Sequence, residues 1–334
     1  MAKLIDVARK ANVAPSTVSG VIHNKVRVSE ETRQRILDVI EELNYHPNQL
    51  ARSLRINRTK TIGLIVPSII NPFYPAIARG IEDIANREGY SVLLCNSDRN
   101  VHKENQYIQT LFDKQVDGLV LAAPVIKEEQ IVEFVEKSGK PLVVMNTDID
   151  HEMVDELFIN FRRASRQMTD YLIELGHRQI AFISGPKELD RAEQRQLGYR
   201  DALSAHGIPF NNKLLIFGNF DYQSGYNAAC ELLNSDLAFS AIFASNDLMA
   251  IGAIAALQEA GKAVPQDISV VGFDDIDLAS FIHPKLTTMY HPTTELGQAS
   301  MRLILERLRG ERNIKARQEL LMHKEIREST RTII

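Results

Sequence analysis

Cysteine is scarce in this chain of 334 residues: only Cys95 and Cys230 occur, and there is no Cys-x-x-Cys pair. Two cysteines cannot form the disulfide framework of a small secreted domain. Long apolar runs are missing as well. Segments such as 62–67 and 119–124 fall far short of the ~20 residues that a membrane helix needs. The opening Met1-Ala2-Lys3-Leu4-Ile5-Asp6 lacks the continuous apolar stretch of a secretion signal, because charges recur every few residues. The cell interior is therefore the expected compartment, with no membrane partner. Catalytic signatures are absent too. There is no Gly-x-Gly-x-x-Gly, no Walker A loop, no Gly-x-Ser-x-Gly and no His-Glu-x-x-His. The nine histidines show no paired metal-ligand spacing, and His177, placed after Gly176 where a helix ends, reads as structural. No catalytic triad or carboxylate pair emerges, so neither an enzyme, a cofactor nor a metal is expected. Low-complexity stretches and short-period repeats are lacking, and 44% hydrophobic with 25% charged residues is ordinary for a globular protein. The length suggests two or three domains.

What is present is unevenly distributed. Residues 1–60 carry 11 Lys and Arg against 6 Asp and Glu, or +5; the remainder carries 28 against 37, or −9. A basic head on an acidic body suggests a nucleic-acid partner for the head. Residues 1–46 read as short helices. Leu4, Val7, Ala8 and Ala11 recur at helical spacing. Asn12 follows, a residue that tolerates the left-handed backbone of a tight turn. Pro15 opens a second helix whose inner face is Val18, Val21 and Ile22. Ser29 caps a third, with Glu30 and Glu31 in its first turn and Ile36, Leu37, Ile40 and Leu43 as its stripe. Small Ala8 lets the first two helices pack closely, with Val13 and Val18 filling the space between. This is a helix-turn-helix pattern, whose second helix enters the DNA major groove.

Beyond residue 61, apolar runs at 62–66, 92–94, 119–122, 142–145, 180–183, 214–217, 241–244 and 268–271 alternate with helical segments at 74–87, 103–114, 128–136, 164–175, 193–205, 224–234 and 248–260. Continuous apolar strands alternating with helices mean parallel sheets covered on both faces. About 270 residues are too many for one such sheet, so two doubly wound subdomains are predicted. Ligands then bind at the carboxyl ends of the strands. Polar and aromatic residues follow the strands there: Asn71, Phe73, Asn146, Asn160, Arg191, Arg195, Phe220, Asn246, Asp247 and Asp274. Amides, carboxylates and guanidinium groups suit neighbouring hydroxyls, and an aromatic face suits the C–H face of a sugar.

The chain resembles the LacI/GalR (lactose-repressor/galactose-repressor) family of bacterial transcription regulators over nearly its whole length. The resemblance rests on Asp6-Val7-Ala8, Thr17-Val18-Ser19, Tyr45-His46-Pro47-Asn48, Ala51-Arg52-Ser53-Leu54, Asn71-Pro72-Phe73-Tyr74, Asn246-Asp247-Leu248-Met249-Ala250 and Gly272-Phe273-Asp274. It implies a homodimeric repressor of double-stranded operator DNA, with a sensor resembling periplasmic sugar-binding proteins. The division it implies is a head at 1–46, a hinge helix and linker at 47–58, and a two-lobed effector and dimerisation domain at 59–334. One lobe spans about 59–160 plus 291–318, the other about 161–290 plus 319–330. Pro15, Ser16, Thr17, Ser19, Gly20, His23 and Asn24 fall on the DNA-reading element, and Asn48, Ala51, Arg52 and Leu54 on the hinge. Leu54 matches a leucine that wedges into the minor groove and kinks the duplex. Arg195 and Asp274 match the family's most characteristic effector contacts; Asn71, Phe73, Asn146, Asn160, Phe220 and Asp247 match the cleft more loosely, and Arg191 adds a charge beside Arg195.

Departures from the family pattern carry expectations of their own. Its usual recognition-helix arginine is Gly20 here and its usual N-cap serine is Ala14, so direct base reading should be sparse. More weight then falls on phosphate contacts and DNA deformability. Neutral Asn146 and Asn160, where the family often has aspartate, point together with Arg191 towards a sugar phosphate or sugar acid rather than a plain sugar. A protein corepressor stays open, as do two other classes, a solute-binding protein serving a transporter and an α/β enzyme.

Overall fold

A computed structural model describes residues 2–22, 26–45 and 58–333. The chain divides into two compact units, residues 1–59 and 60–334. The first unit holds α1 (Leu4–Lys10), α2 (Pro15–Ile22) and α3 (Glu30–Glu42). Asn12 takes the left-handed conformation, φ 53°, between α1 and α2. The side chain of Ser29 accepts the Thr32 amide at 3.3 Å and caps α3. Val7, Ala8, Ala11, Val18, Val21, Ile36, Val39 and Tyr45 form the core. The predicted α3 stripe shifts by one residue pair: Leu37 is exposed and Val39 is buried. Residues 36, 39, 40 and 43 lie on one side of a 3.6-residue helix, and Leu37 lies outside that arc.

The second unit is built on two parallel sheets, as the alternation predicts. The first contains β1 (Thr61–Val66), β2 (Ser91–Asn96), β3 (Gly118–Ala122), β4 (Leu142–Met145), β5 (Val154–Phe158) and β11 (Arg317–Glu319), in the order β11-β5-β4-β3-β1-β2. The second contains β6 (Ile180–Ser184), β7 (Leu215–Phe217), β8 (Ala241–Ala244) and β9 (Ser269–Val271), in the order β7-β6-β8-β9. In each sheet one strand, β1 or β6, has its sequence successor on one side and the next strand on the other. The crossovers leave that point in opposite directions, so a crevice opens at the carboxyl ends there. Helices α4 (Phe73–Arg87), α5 (Val101–Asp113), α6 (Glu128–Ser138), α7 (Phe161–Glu174), α8 (Asp190–Ala205), α9 (Tyr222–Leu233) and α10 (Asp247–Glu259) follow the strands, and α11 (Thr293–Arg309) packs on α4. That contact is close. A Cβ at Gly80 would lie 2.2 Å from the Thr294 carbonyl oxygen, and one at Gly297 2.2 Å from that of Ile77.

The chain crosses between the sheets three times: after β5, after β10 (Thr288–Tyr290), and between β11 and β12 (His323–Glu325), which pairs antiparallel with β10. Strand β5 has no counterpart in the sequence reading, because it carries two charges. Asp155 and Glu156 are both buried. Asp155 accepts from Arg307 Nε and Arg312 Nη1, each at 2.7 Å, and from the Ala316 amide at 2.8 Å. Burial alone would raise its carboxyl; the two guanidinium groups outweigh that and hold it below its ordinary value. Glu156 meets Lys315 at 2.5 Å and Arg317 at 3.0 Å. These pairs fasten β11 beside β5. His177 is structural: its ring nitrogens meet the Ser240 hydroxyl at 2.8 Å and the Ser269 hydroxyl at 3.1 Å, joining β8 to β9.

Candidate functional site

In the head, α2 presents short side chains. Pro15 and Ser16 are exposed, Thr17 and Ser19 half-buried. Ala14 receives the Thr17 and Val18 amides on its carbonyl, at 2.9 and 3.3 Å, and has no hydroxyl to add. Gly20 is not on open surface. It is buried, and a Cβ there would lie 2.3 Å from Cγ2 of Val26, whose side chain folds over it. His23 and Asn24, and the hinge residues Asn48, Ala51, Arg52 and Leu54, lie outside the described residues.

In the body, the strand-end loops enclose a cavity in two parts. A wide mouth of about 770 Å³ is lined by residues that include Asn146, Asp148, Glu188 and Asp190. A small inner chamber of about 30 Å³ is lined by residues that include Asn71, Phe73, Phe161, Arg195, Phe220 and Asp274. Arg99 and Arg191 line both. Backbone strain concentrates here. Asp98 and Arg99 after β2, Ala123 after β3, Asn146 after β4, Phe220 in the loop after β7, and Asp274 and Asp275 after β9 all have positive φ. Such conformations persist only where the surroundings enforce them, and they cluster at ligand sites.

Arg195 is the centre of the inner chamber. It is 4% exposed, its guanidinium lying 4.2 Å from the Phe161 ring centre and 4.4 Å from that of Phe273. One nitrogen reaches Asp274 at 3.5 Å. Burial pulls the guanidinium down to about 10 and pushes the Asp274 carboxyl up to about 7, with Arg195 and Arg191 opposing that rise. Asp247 sits behind, fully buried. It accepts the Thr288 hydroxyl at 2.5 Å and the Ile276 amide at 2.8 Å, and burial followed by its neighbour Asp274 raises its carboxyl well above the ordinary value. Its bonds tie α10 to the loop that follows Asp274 and to β10. His291, in the crossing after β10, packs edge-on against Phe73 at 4.6 Å; burial, and then Arg195, lower its ring to about 3. Several polar atoms here are buried without a hydrogen-bond partner: Arg99 Nε, Arg191 Nη2, Arg195 Nε, Asp274 Oδ1, both His291 nitrogens, and the hydroxyls of Ser184 and Ser245 at the ends of β6 and β8. Each such atom costs about 1–3 kcal/mol until something bonds it.

Family comparison matches residues 3–48 to the bacterial regulatory proteins of the lacI family, and residues 59–328 to the periplasmic binding proteins and sugar binding domain of the LacI family. The chain belongs to the LacI family. Members of this family are DNA-binding transcription regulators, not enzymes. This LacI-family chain is 38% identical to the ribose operon repressor of Escherichia coli (strain K12), over 92% of this chain and 93% of that one. It is 35% identical to the transcriptional repressor PurR of Photobacterium profundum, over 98% and 99%. Among solved structures it resembles the lac repressor dimer bound to operator and the anti-inducer ONPF, at TM-score 0.87 and 28% identity over 99% of each chain. It also resembles a LacI-family regulator from Enterococcus faecium with bound ribose, at TM-score 0.75 and 34% identity over 82% of this chain and 100% of that one.

Of the residues that sequence reasoning placed in the cleft of this LacI-family chain, the fold brings Asn71, Phe73, Asn146, Arg191, Arg195, Phe220 and Asp274 around one cavity. Two serve elsewhere. Asn160 is exposed and caps α7, accepting the Arg163 amide at 2.9 Å, and Asp247 supports the cavity from behind. Sequence reasoning missed Arg99 and His291. Arg99 had a signal: a long cation after a strand, in the Asp98-Arg99-Asn100 turn. His291 had none, because its neighbours are supplied by three separate parts of the chain. Among the described residues no group of His, Cys, Asp and Glu is arranged to hold a metal, and no helix is long and apolar enough to cross a membrane.

Proposed function

We propose that this chain is a homodimeric transcriptional repressor of the bacterial cytoplasm whose grip on operator DNA is set by a sugar or sugar derivative held between its two lobes. The unpartnered buried polar atoms at the carboxyl ends of both sheets carry this reading, since a hydroxylated ligand would supply the missing bonds. The division follows the head at 1–46, the linker at 47–58 and lobes of about 59–160 plus 291–318 and 161–290 plus 319–330. Exposed apolar side chains on the body, Ile70, Leu94 and Phe281 among them, favour a dimer that covers them. The short α2 face favours an operator read largely through its backbone and its deformability, with Leu54 as the wedge.

The test is operator affinity of the full chain with and without each of a panel of sugars, on duplexes selected from a random pool. The expected result is a sequence-selective complex weakened or strengthened by one class of sugar. A ligand at 100 times its Kd should also raise stability by ~2.7 kcal/mol. Leu54→Ala should weaken operator binding while effector binding stays intact. Equal affinity for selected and scrambled duplexes overturns the repressor reading, and an unchanged affinity and bend angle in Leu54→Ala overturns the wedge.

A further inference from the structure

We propose that the effector is an acid, a small polyhydroxylated molecule bearing a carboxylate or phosphate, and that Arg99 from one lobe and Arg191 from the other close on its charge. This rests on the cavity being the effector site. The two arginines come from different sheets. Arg99 stands in the left-handed turn after β2, and Arg191 in the first turn of α8 after β6. Both line the mouth and the inner chamber, so they mark the junction between the two.

Among the described residues neither is matched by a contact ion pair, although Asp221 acts on Arg99, and Glu104 and Asp274 on Arg191, at longer range. Among the described residues no carboxylate lies within ion-pair distance of Arg99 or Arg191, and Arg99 Nε and Arg191 Nη2 are buried without a partner. Three acids line the mouth, Asp148, Glu188 and Asp190; of these Asp148 accepts from Arg317 at 3.3 Å and Asp190 from Gln194 at 3.1 Å. Within the inner chamber Asp274 faces Arg195. In the inner chamber a neutral sugar would meet three guanidinium groups and a single carboxylate, Asp274.

The arrangement also explains how an acid would close the lobes. Arg99 Nη1 already reaches across to the backbone and side-chain oxygens of Asn219, at 3.2 and 3.1 Å. Its charge is disfavoured first by burial and also by Arg191, while Tyr74 and Asp221 favour it. An anion between the two arginines reverses the sign of their interaction. It binds the closed arrangement better than the open one, which is the condition for shifting an equilibrium. Phe220 lies within 5.6–5.8 Å of all three guanidinium groups and leaves an aromatic wall for the C–H face of the ligand.

The experiment measures thermal shift and calorimetric binding of the full chain with matched probes: D-glucose and D-ribose as neutral members, D-gluconate and D-glucuronate as carboxylates, glucose 6-phosphate and ribose 5-phosphate as phosphates. Inorganic phosphate is compared with chloride at equal ionic strength. At least one acid should bind at least tenfold tighter than its neutral partner, and the carboxylate and phosphate arms identify the group. Arg99→Gln and Arg191→Gln should each cut that preference by about tenfold or more, one charge-assisted bond apiece. Removal of like charge should also raise the melting temperature of the ligand-free chain. A neutral sugar that binds as well as its acid, and loses binding in Arg195→Ala, overturns the acid and keeps the cavity. Acids that bind Arg195→Ala, Arg99→Gln and Arg191→Gln like the unaltered chain overturn both. If no acid shifts the unaltered chain, the proposal fails.

Discussion

The head and the body handle polar chemistry in opposite ways. On α2 of the head the outward residues are short, and the position where the family carries arginine is a glycine covered by Val26. In the body the polar residues turned inward are long, charged and short of partners. A surface of short side chains makes few directional bonds and discriminates weakly on its own. A chamber of unmade bonds discriminates strongly, because each unsatisfied group penalises the wrong ligand. On the proposed function, selectivity in this regulator concentrates in the sensor, with the operator read mostly through shape.

The largest break in that contrast should come from Arg195→Ala. Loss of this buried guanidinium should weaken effector binding by up to about 5 kcal/mol, because it also strands Asp274. Calorimetry checks this, and an affinity within twofold of the unaltered chain would show that the chamber is not the site. Next come two opposed pH effects. Asp274 is raised to about 7, so the folded state holds its proton more tightly, and stability from this group is full below about 4 and lost as pH rises to about 7. His291 is lowered to about 3, so its contribution is full above about 6.5 and lost as pH falls towards 3. Each is on the order of 4 kcal/mol, and between pH 4 and 6.5 they run against each other. Relative to the unaltered chain, Asp274→Asn should gain stability with rising pH over that window, and His291→Gln should lose it. Denaturant melts at pH 4.5 and 6.5 decide, and slopes of the same sign refute the pairing.

Two smaller effects sharpen the head. Gly20→Arg should destabilise it by about 1–3 kcal/mol, because the new Cβ meets Val26. Combined with Val26→Ala, it should add a guanine preference worth about 1–3 kcal/mol per half-site. Selection from random duplexes tests this, and identical motifs for both proteins reject it. Ser29→Ala should cost about 1 kcal/mol through loss of the α3 cap. Thermal unfolding reads that directly, and no change would mean that the cap bond to Thr32 is idle.

The parts legible in the sequence are those with a simple period. Eight of the strands are continuous apolar runs, and seven body helices separate them, so both parallel sheets follow. The strands that escaped notice are governed by long-range pairing. Val154–Phe158 looks too charged to be buried until Arg307, Arg312, Lys315 and Arg317 arrive from more than 150 residues later. The site divides along the same line. Arg195 and Asp274 stand out by type and position, and the family pattern singles them out. Asn160 and Asp247 have equally suitable chemistry, yet one caps a helix and the other braces a loop. Type and strand-end position do not reveal which way a side chain turns. Leu37 and Val39 make the same point at small scale, since which of two neighbours is buried depends on the helix's rotation against its partners.

The three crossings between the sheets bear on how the protein is made. Strand β5 finds its neighbour β11 only when residue 319 exists, and β10 finds β12 only at residue 325. On the ribosome, where synthesis runs at about 5–20 residues per second, the first sheet waits with an open edge and two carboxylates not yet paired for several seconds. The helix-turn-helix needs nothing later than residue 45 for its core and can fold well before then. A nascent chain that stalls between residues 160 and 310 therefore carries a formed DNA-reading head on a sensor that cannot finish. Such fragments are the natural substrates of chaperones and proteases, and codon changes that slow synthesis in this interval should lower the yield of full-length protein more than the same changes near either terminus.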